Sequence, residues 1–127
     1  MKIFGIGIDV IEVARIEEAM SEFGERFLAR IFTEGERAYC ETQQRPVVHF
    51  AARWAAKEAV SKALGTGIGE ALGWHDLEIT RRDSGEPELV LHGRGREFAS
   101  GHGIEEVKIS LTHARSHAAA NAVAMAK

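Results

Sequence analysis

Residues 46 to 65, PVVHFAARWAAKEAVSKALG, constrain the fold of this chain more than any other stretch. The segment is alanine-rich, follows a proline and stops at Gly65, a residue suited to the left-handed conformation that ends helices. A long helix is therefore expected from about Val47 to Leu64. Along it Arg53, Lys57, Glu58, Ser61 and Lys62 recur at spacings of three, four and five, which gathers them into one broad stripe. Trp54, Glu58 and Lys62 form one row, and Arg53, Lys57 and Ser61 form the row beside it. A solvated helix explains such a stripe blandly, with a Glu58 to Lys62 pair worth only ~0.2 to 0.5 kcal/mol. A lone carboxylate among three cations also suits a site that holds a metal and an anion.

The rest of the chain sets the scale. Its 127 residues fit a single domain, 1–127, with a modest core that oligomer contacts could complete. Nineteen acidic against sixteen basic residues leave a net charge of -3, which argues against general adhesion to nucleic acid or to an anionic membrane. One cysteine, Cys40, allows no intrachain disulfide, and MKIFGIGIDV lacks the apolar run of a secretory signal, so a cytoplasmic protein is expected.

In KIFGIGIDV, Phe4, Ile6 and Ile8 share one face of a strand, while Gly5, Gly7 and Asp9 share the other. That second face is nearly bare backbone ending in a carboxylate, open to a close helix or ligand. Asp9 has an ordinary alternative as the N-cap of the helix that follows. That helix runs through IEVARIEEAMSEF and stops near Gly24, with Val13, Ile16 and Met20 inward. ERFLARIF predicts a short helix, and TEGE the capping box of another reaching toward Cys40. HDLEITRR and PELVLHG read as two strands joined by the turn DSGE. RGREFASGHG reads as a short helix. EVKISLTHA alternates as a strand, and AAANAVAMA is expected to pair with it as a second hairpin. An α+β domain with antiparallel strands follows.

Six residues draw the reading toward chemistry. Magnesium takes one or two carboxylates together with phosphate oxygens and water, so Glu58 and Asp9 are candidate ligands. Arg53, Lys57 and Lys62 would meet phosphate charge, the arginine as a planar fork and the lysines as point charges. His113 ends a strand that carries Ser110 and Thr112 on one face, a compact donor cluster for phosphate or hydroxyl groups. The remaining histidines show no metal-binding spacing.

GIGIDVIEVARI, FTEGE, FAARWAAKEAVSKALGTGIG, SGEP and ISLTHARSHAAANAV, in this order, resemble the holo-acyl-carrier-protein synthase family, the small bacterial type of 4'-phosphopantetheinyl transferase. The resemblance implies antiparallel strands packed against one long helix and shorter helices. It implies magnesium-dependent transfer of the 4'-phosphopantetheine arm from coenzyme A to a serine of apo acyl carrier protein, releasing adenosine 3',5'-bisphosphate, in service of fatty acid biosynthesis. By motif match Asp9 and Glu58 hold the metal, and Lys62 contacts the pyrophosphate. Arg53 and His113 meet the nucleotide and its phosphates, with Lys57, Ser61 and Gly65 nearby. The base for the carrier's serine is left open between Glu58 and a water at the metal.

The resemblance also places Arg15, Arg26 and Arg30 against the acidic carrier protein, and implies a homotrimer whose active sites lie between subunits. The apolar AAANAVAMA would be awkward as a free edge strand and fits burial at an interface. Trp54 stands where phenylalanine is common, which leaves the chemistry unaffected, and no function is carried onto Arg94 or Arg96. Two rivals are a noncatalytic coenzyme A or nucleotide sensor and a magnesium-dependent pyrophosphate hydrolase. The first would lack a metal carboxylate or Lys62, and the second would leave the three arginines without a task.

Overall fold

A computed structural model describes residues 1–127. The chain runs β1 (Lys2–Glu12), α1 (Val13–Phe23), α2 (Glu25–Ile31), α3 (Glu34–Glu41), α4 (Pro46–Leu64), a 3-10 turn (Trp74–Asp76), β2 (Leu77–Arg81), β3 (Pro87–Leu91), α5 (Gly93–Gly101), β4 (Ile104–His113) and β5 (His117–Ala126). Three strands form an antiparallel sheet in the order β1-β5-β4, and β2 and β3 form a separate hairpin. The α+β expectation holds, as do the long helix and both hairpins.

Helix α4 lies across the three-stranded sheet and supplies much of the core. Its alanines 51, 52, 55, 56, 59 and 63 are buried, facing Ala118, Ala120, Ala122 and Ala124 on the inner face of β5. Small residues on both sides let helix and sheet approach closely. The approach is tightest at β1, where a side chain on Gly5 or Gly7 would collide with the carbonyl oxygens of Ala63 and Ala59. The bare strand face is thus filled by a helix backbone. Pro46 occupies the first turn of α4, and Gly65 closes it with φ of 80°.

Local signals set the other boundaries. The capping box forms as its sequence predicts: Thr33 Oγ1 accepts from Glu36 N, and Glu36 Oε1 accepts from Thr33 N. Gly24, with φ of 54°, ends α1 and begins α2.

Two expectations are corrected. Asp9 is not an N-cap, because β1 continues three residues past it and Glu12 precedes α1 without a side-chain cap bond. The apolar run of β5, expected to be buried at an interface, is buried within the chain: β5 is the centre of its sheet, paired on both sides, with its apolar face turned onto α4. The apolar surface left to water lies instead on the outer face of β1, where Ile6 and Ile8 are 70% and 71% exposed.

Candidate active site

The register of β1 against α4 assembles the first cluster. Gly5 sits against Ala63 and Gly7 against Ala59, so the next inward residue, Asp9, reaches the turn of the helix that carries Glu58. Lys62 reaches over from the same helix and donates to Asp9 Oδ1 and to the Ile8 carbonyl, each at 3.0 Å. Asp9 Oδ2 is buried and has no hydrogen-bond partner. Burial, and then the Asp9 charge, push the Glu58 carboxyl above its ordinary pKa, while Lys62 pulls it back.

This is an electrostatically incomplete arrangement. The Asp9 charge opposes the ionisation of Glu58, and one buried aspartate oxygen is unsatisfied, a costly condition for a polar atom. No third His, Cys, Asp or Glu joins them. The donor set therefore suits a hard divalent cation of the kind that takes two carboxylates and completes its shell with phosphate oxygens and water.

A second cluster gathers cations toward the N-terminal end of α4. The rings of His49 and His113 lie 5.1 Å apart, Arg53 packs over the Tyr39 ring at 4.3 Å, and Arg81 lies 5.3 Å from the same ring. Arg45 donates to the Arg115 carbonyl at 2.9 Å beside them. None of these four arginines has a carboxylate partner, and the buried Nε of Arg53 has no partner at all. Burial lowers the pKa of His49, with His113, Arg53 and Arg81 adding to the effect. The cluster concentrates positive charge with no carboxylate to offset it, an arrangement suited to an anion. Sequence reasoning found Arg53 and His113 but missed Arg45, His49, Arg81 and Arg115. His49 was findable, since it extends the four-residue row of Arg53, Lys57 and Ser61.

Lys57 is corrected. It is fully buried, bonded to Glu36 Oε1 at 2.7 Å and to the Ile31 and Trp74 carbonyls, and it does not reach the Asp9 and Glu58 cluster. Ser61 is likewise turned inward, its hydroxyl donating to the Glu58 carbonyl, while its own carbonyl accepts from Thr66 N and Gly67 N beyond Gly65. Gly65 itself is exposed at the helix end. The packing of α3 and β2 over α4 splits the stripe: the Arg53, Lys57 and Ser61 row is buried, and the Trp54, Glu58 and Lys62 row faces out.

Arg15, Arg26 and Arg30 are exposed and unpaired. Arg26 and Arg30 line a groove with Phe23, Phe27, Ile31 and Trp74.

The chain belongs to the 4'-phosphopantetheinyl transferase superfamily, whose family model matches residues 5–122. Within that class its relatives are the holo-[acyl-carrier-protein] synthases. It is 48% identical over 121 residues to the holo-[acyl-carrier-protein] synthase of Chlamydia trachomatis, covering 95% of this chain and 98% of the relative. The crystal structure of the synthase from Neisseria meningitidis superimposes with a TM-score of 0.91 at 33% identity, over 97% of this chain and 98% of the other. The Helicobacter pylori synthase, solved in complex with coenzyme A, matches with a TM-score of 0.85 at 32% identity, over 94% and 99%.

Proposed function

We propose that this chain transfers the 4'-phosphopantetheine arm of coenzyme A to a serine of an apo acyl carrier protein, yielding the holo carrier and adenosine 3',5'-bisphosphate, in support of fatty acid biosynthesis. The observation that carries the reading is the convergence of Asp9, Glu58 and Lys62, with one buried aspartate oxygen unsatisfied.

Asp9 and Glu58 would hold magnesium, which when bound supplies positive charge to the pyrophosphate of coenzyme A. Phosphoryl transfer asks mainly for positioning and charge neutralisation, and this chain's own groups address both. Lys62 stands beside the carboxylates with half of its side chain in solvent, so its ammonium can turn from Asp9 to the departing nucleotide phosphate. Arg53 and His113, with Arg45 and His49, would take the nucleotide's remaining phosphate charge. The carrier's serine oxygen attacks the phosphorus that bears the arm, the bond from that phosphorus to the nucleotide phosphate oxygen breaks, and the serine proton passes to a basic acceptor.

Both clusters sit on α4 but not together: His49 and Lys62 are thirteen residues apart, about 20 Å of helix. Shared sites between subunits of a homotrimer reconcile them, one chain giving Asp9 and Glu58 and the next giving nucleotide contacts. The exposed isoleucines of β1 support that assembly, since a groove lined by Ile6, Ile8, Asn121 and Val123 runs up to Lys62. Arg15, Arg26 and Arg30 would receive the acidic carrier. The cytoplasm is the setting this reading assumes; no helix of the chain is long and apolar enough to cross a membrane.

The test mixes the protein with apo acyl carrier protein, coenzyme A and magnesium, and weighs the carrier. A gain of one phosphopantetheine arm, abolished by chelator, is expected; an unchanged carrier beside hydrolysed coenzyme A would instead identify a hydrolase.

A further inference from the structure

The ammonium of Lys57 makes three contacts inside the protein, to Glu36 Oε1 at 2.7 Å, to the Ile31 carbonyl at 2.7 Å and to the Trp74 carbonyl at 3.1 Å. An ammonium has three donors, so all are engaged. Glu36 is as deeply buried as its partner and accepts from the backbone amides of Thr33 and Ile79 as well. One ion pair thereby joins the end of α2, the start of α3, the middle of α4, the 3-10 turn and β2. Stability alone does not account for it, because apolar residues of like volume commonly serve a core as well as a buried ion pair does.

What the pair connects is specific. Ile31 and Trp74 are walls of the groove that holds Arg26 and Arg30, and Lys57 directly precedes Glu58 on the helix. We propose that Lys57 is a positioning residue that sets the carrier-docking groove at a fixed distance from Glu58, by tying both groove-wall carbonyls to the turn of α4 that bears the catalytic carboxylate. The inference rests on the transferase reading and adds to it a mechanical link between partner docking and catalysis. Loss of the link lets the groove shift while the coenzyme A contacts, which lie on the outward row and at the N-terminal end of α4, stay in place.

The test compares wild type with Glu36→Gln/Lys57→Met, which removes both charges and the two carbonyl contacts while roughly conserving volume. A second pairing, Glu36→Gln/Lys57→Gln, keeps a polar contact within the core but is too short to reach both carbonyls, and serves if the first fails to fold. Glu36→Gln alone keeps the lysine amine on the carbonyls. Steady-state rates are measured well below each variant's melting temperature, with carrier and coenzyme A varied separately. The double variants should lose roughly ten- to hundredfold in kcat/KM for the carrier, a misplacement effect, with the KM for coenzyme A held within about twofold. Glu36→Gln should retain most of the carrier kcat/KM. A KM for coenzyme A that rises as much as the carrier kcat/KM falls, or no loss toward the carrier, would overturn the proposal. Loading by wild type is established first: if that fails the transferase reading fails, and if only the split is missing the positioning role alone fails.

Discussion

Lys62 donates to Asp9 Oδ1 at 3.0 Å and forms the only ion pair between α4 and β1, yet half of its side chain is in water. A pair so exposed on one side contributes about 0 to 1 kcal/mol, and Asp9 also opposes the ionisation of Glu58. Asp9→Asn should therefore leave the melting temperature nearly unchanged. Carrier loading, by contrast, should fall by about a hundredfold or more, since one of the two carboxylates proposed to hold the pyrophosphate's metal is gone. Intact-mass kinetics beside a thermal melt separate the two effects, and a variant that loads carrier at the wild-type rate removes Asp9 from the site.

Glu58 gives a pH prediction with a definite sign. Its carboxyl is raised above the ordinary value, by burial first and by Asp9 second. The native state then holds the proton more tightly than the unfolded chain, so stability is greatest below the ordinary glutamate pKa and falls as pH rises through the raised one. Glu58→Gln should flatten that part of the stability profile, measured by urea unfolding from roughly pH 4 to 7. Asp9→Asn removes the second cause and leaves the first, so carboxyl-carbon NMR should show the Glu58 midpoint moving down without reaching the ordinary value. A midpoint at or above wild type in Asp9→Asn would mean that the two carboxylates do not interact.

The closeness of strand to helix can be tested through Gly7. A methyl group there meets the backbone carbonyl of Ala59, which cannot swing away as a flexible side chain could. Gly7→Ala should cost about 1 to 3 kcal/mol of stability, the usual range for overpacking. It should also reduce loading, because Asp9 is carried on the same displaced strand. Gly69→Ala, in open space, is the control and should stay within about 0.5 kcal/mol of wild type. Equal stabilities for the two would mean that β1 and α4 do not meet backbone to backbone.

How much of this was legible in the sequence depends on what each signal measures. Alternation and helical period report which face of an element is apolar, and they mark β1, β4 and α4, whereas β5 follows only from its place next to β4. They do not report neighbours, so the apolar run of β5 points toward a subunit interface although the strand is flanked on both sides within its own sheet. The stripe on α4 shows the same limit. Both rows fall within one broad arc of the helix, and only the arrival of α3 and β2 decides that Lys57 is buried and Glu58 is not. Glu36 was readable as a cap from TEGE, a local pattern. Its second partner, Lys57, lies twenty-one residues away, and no spacing rule links them.

Arg26 and Arg30 carry a prediction about the partner. Neither has an internal ion pair, and both border a groove containing Phe27 and Trp74, so an acidic carrier would meet charge at the rim and apolar surface within it. Arg26→Ala and Arg30→Ala should raise the KM for the carrier, steepen less with added salt than wild type, and leave the KM for coenzyme A alone. Charge reversal to glutamate should be worse than alanine at each position. Unchanged carrier kinetics in the double Arg26→Glu/Arg30→Glu variant would move the docking surface elsewhere.

The outer face of β1 bears on assembly. Ile3, Ile6, Ile8 and Val10 stand 62%, 70%, 71% and 64% exposed in the single chain, a continuous apolar row of the kind that marks an interface. The groove along this row ends at Lys62, so a second copy seated there would bring its own residues to the Asp9, Glu58 and Lys62 cluster. Ile8→Asp places a charge in the middle of the row without touching the core, and each chain should remain folded by circular dichroism. Sedimentation should show wild type as a trimer and Ile8→Asp as a monomer, with loading lost even though all three cluster residues are present in every chain. A wild-type protein that sediments as a monomer and loads carrier at full rate would show that one chain suffices, and the distance along α4 between His49 and Lys62 would then need another explanation.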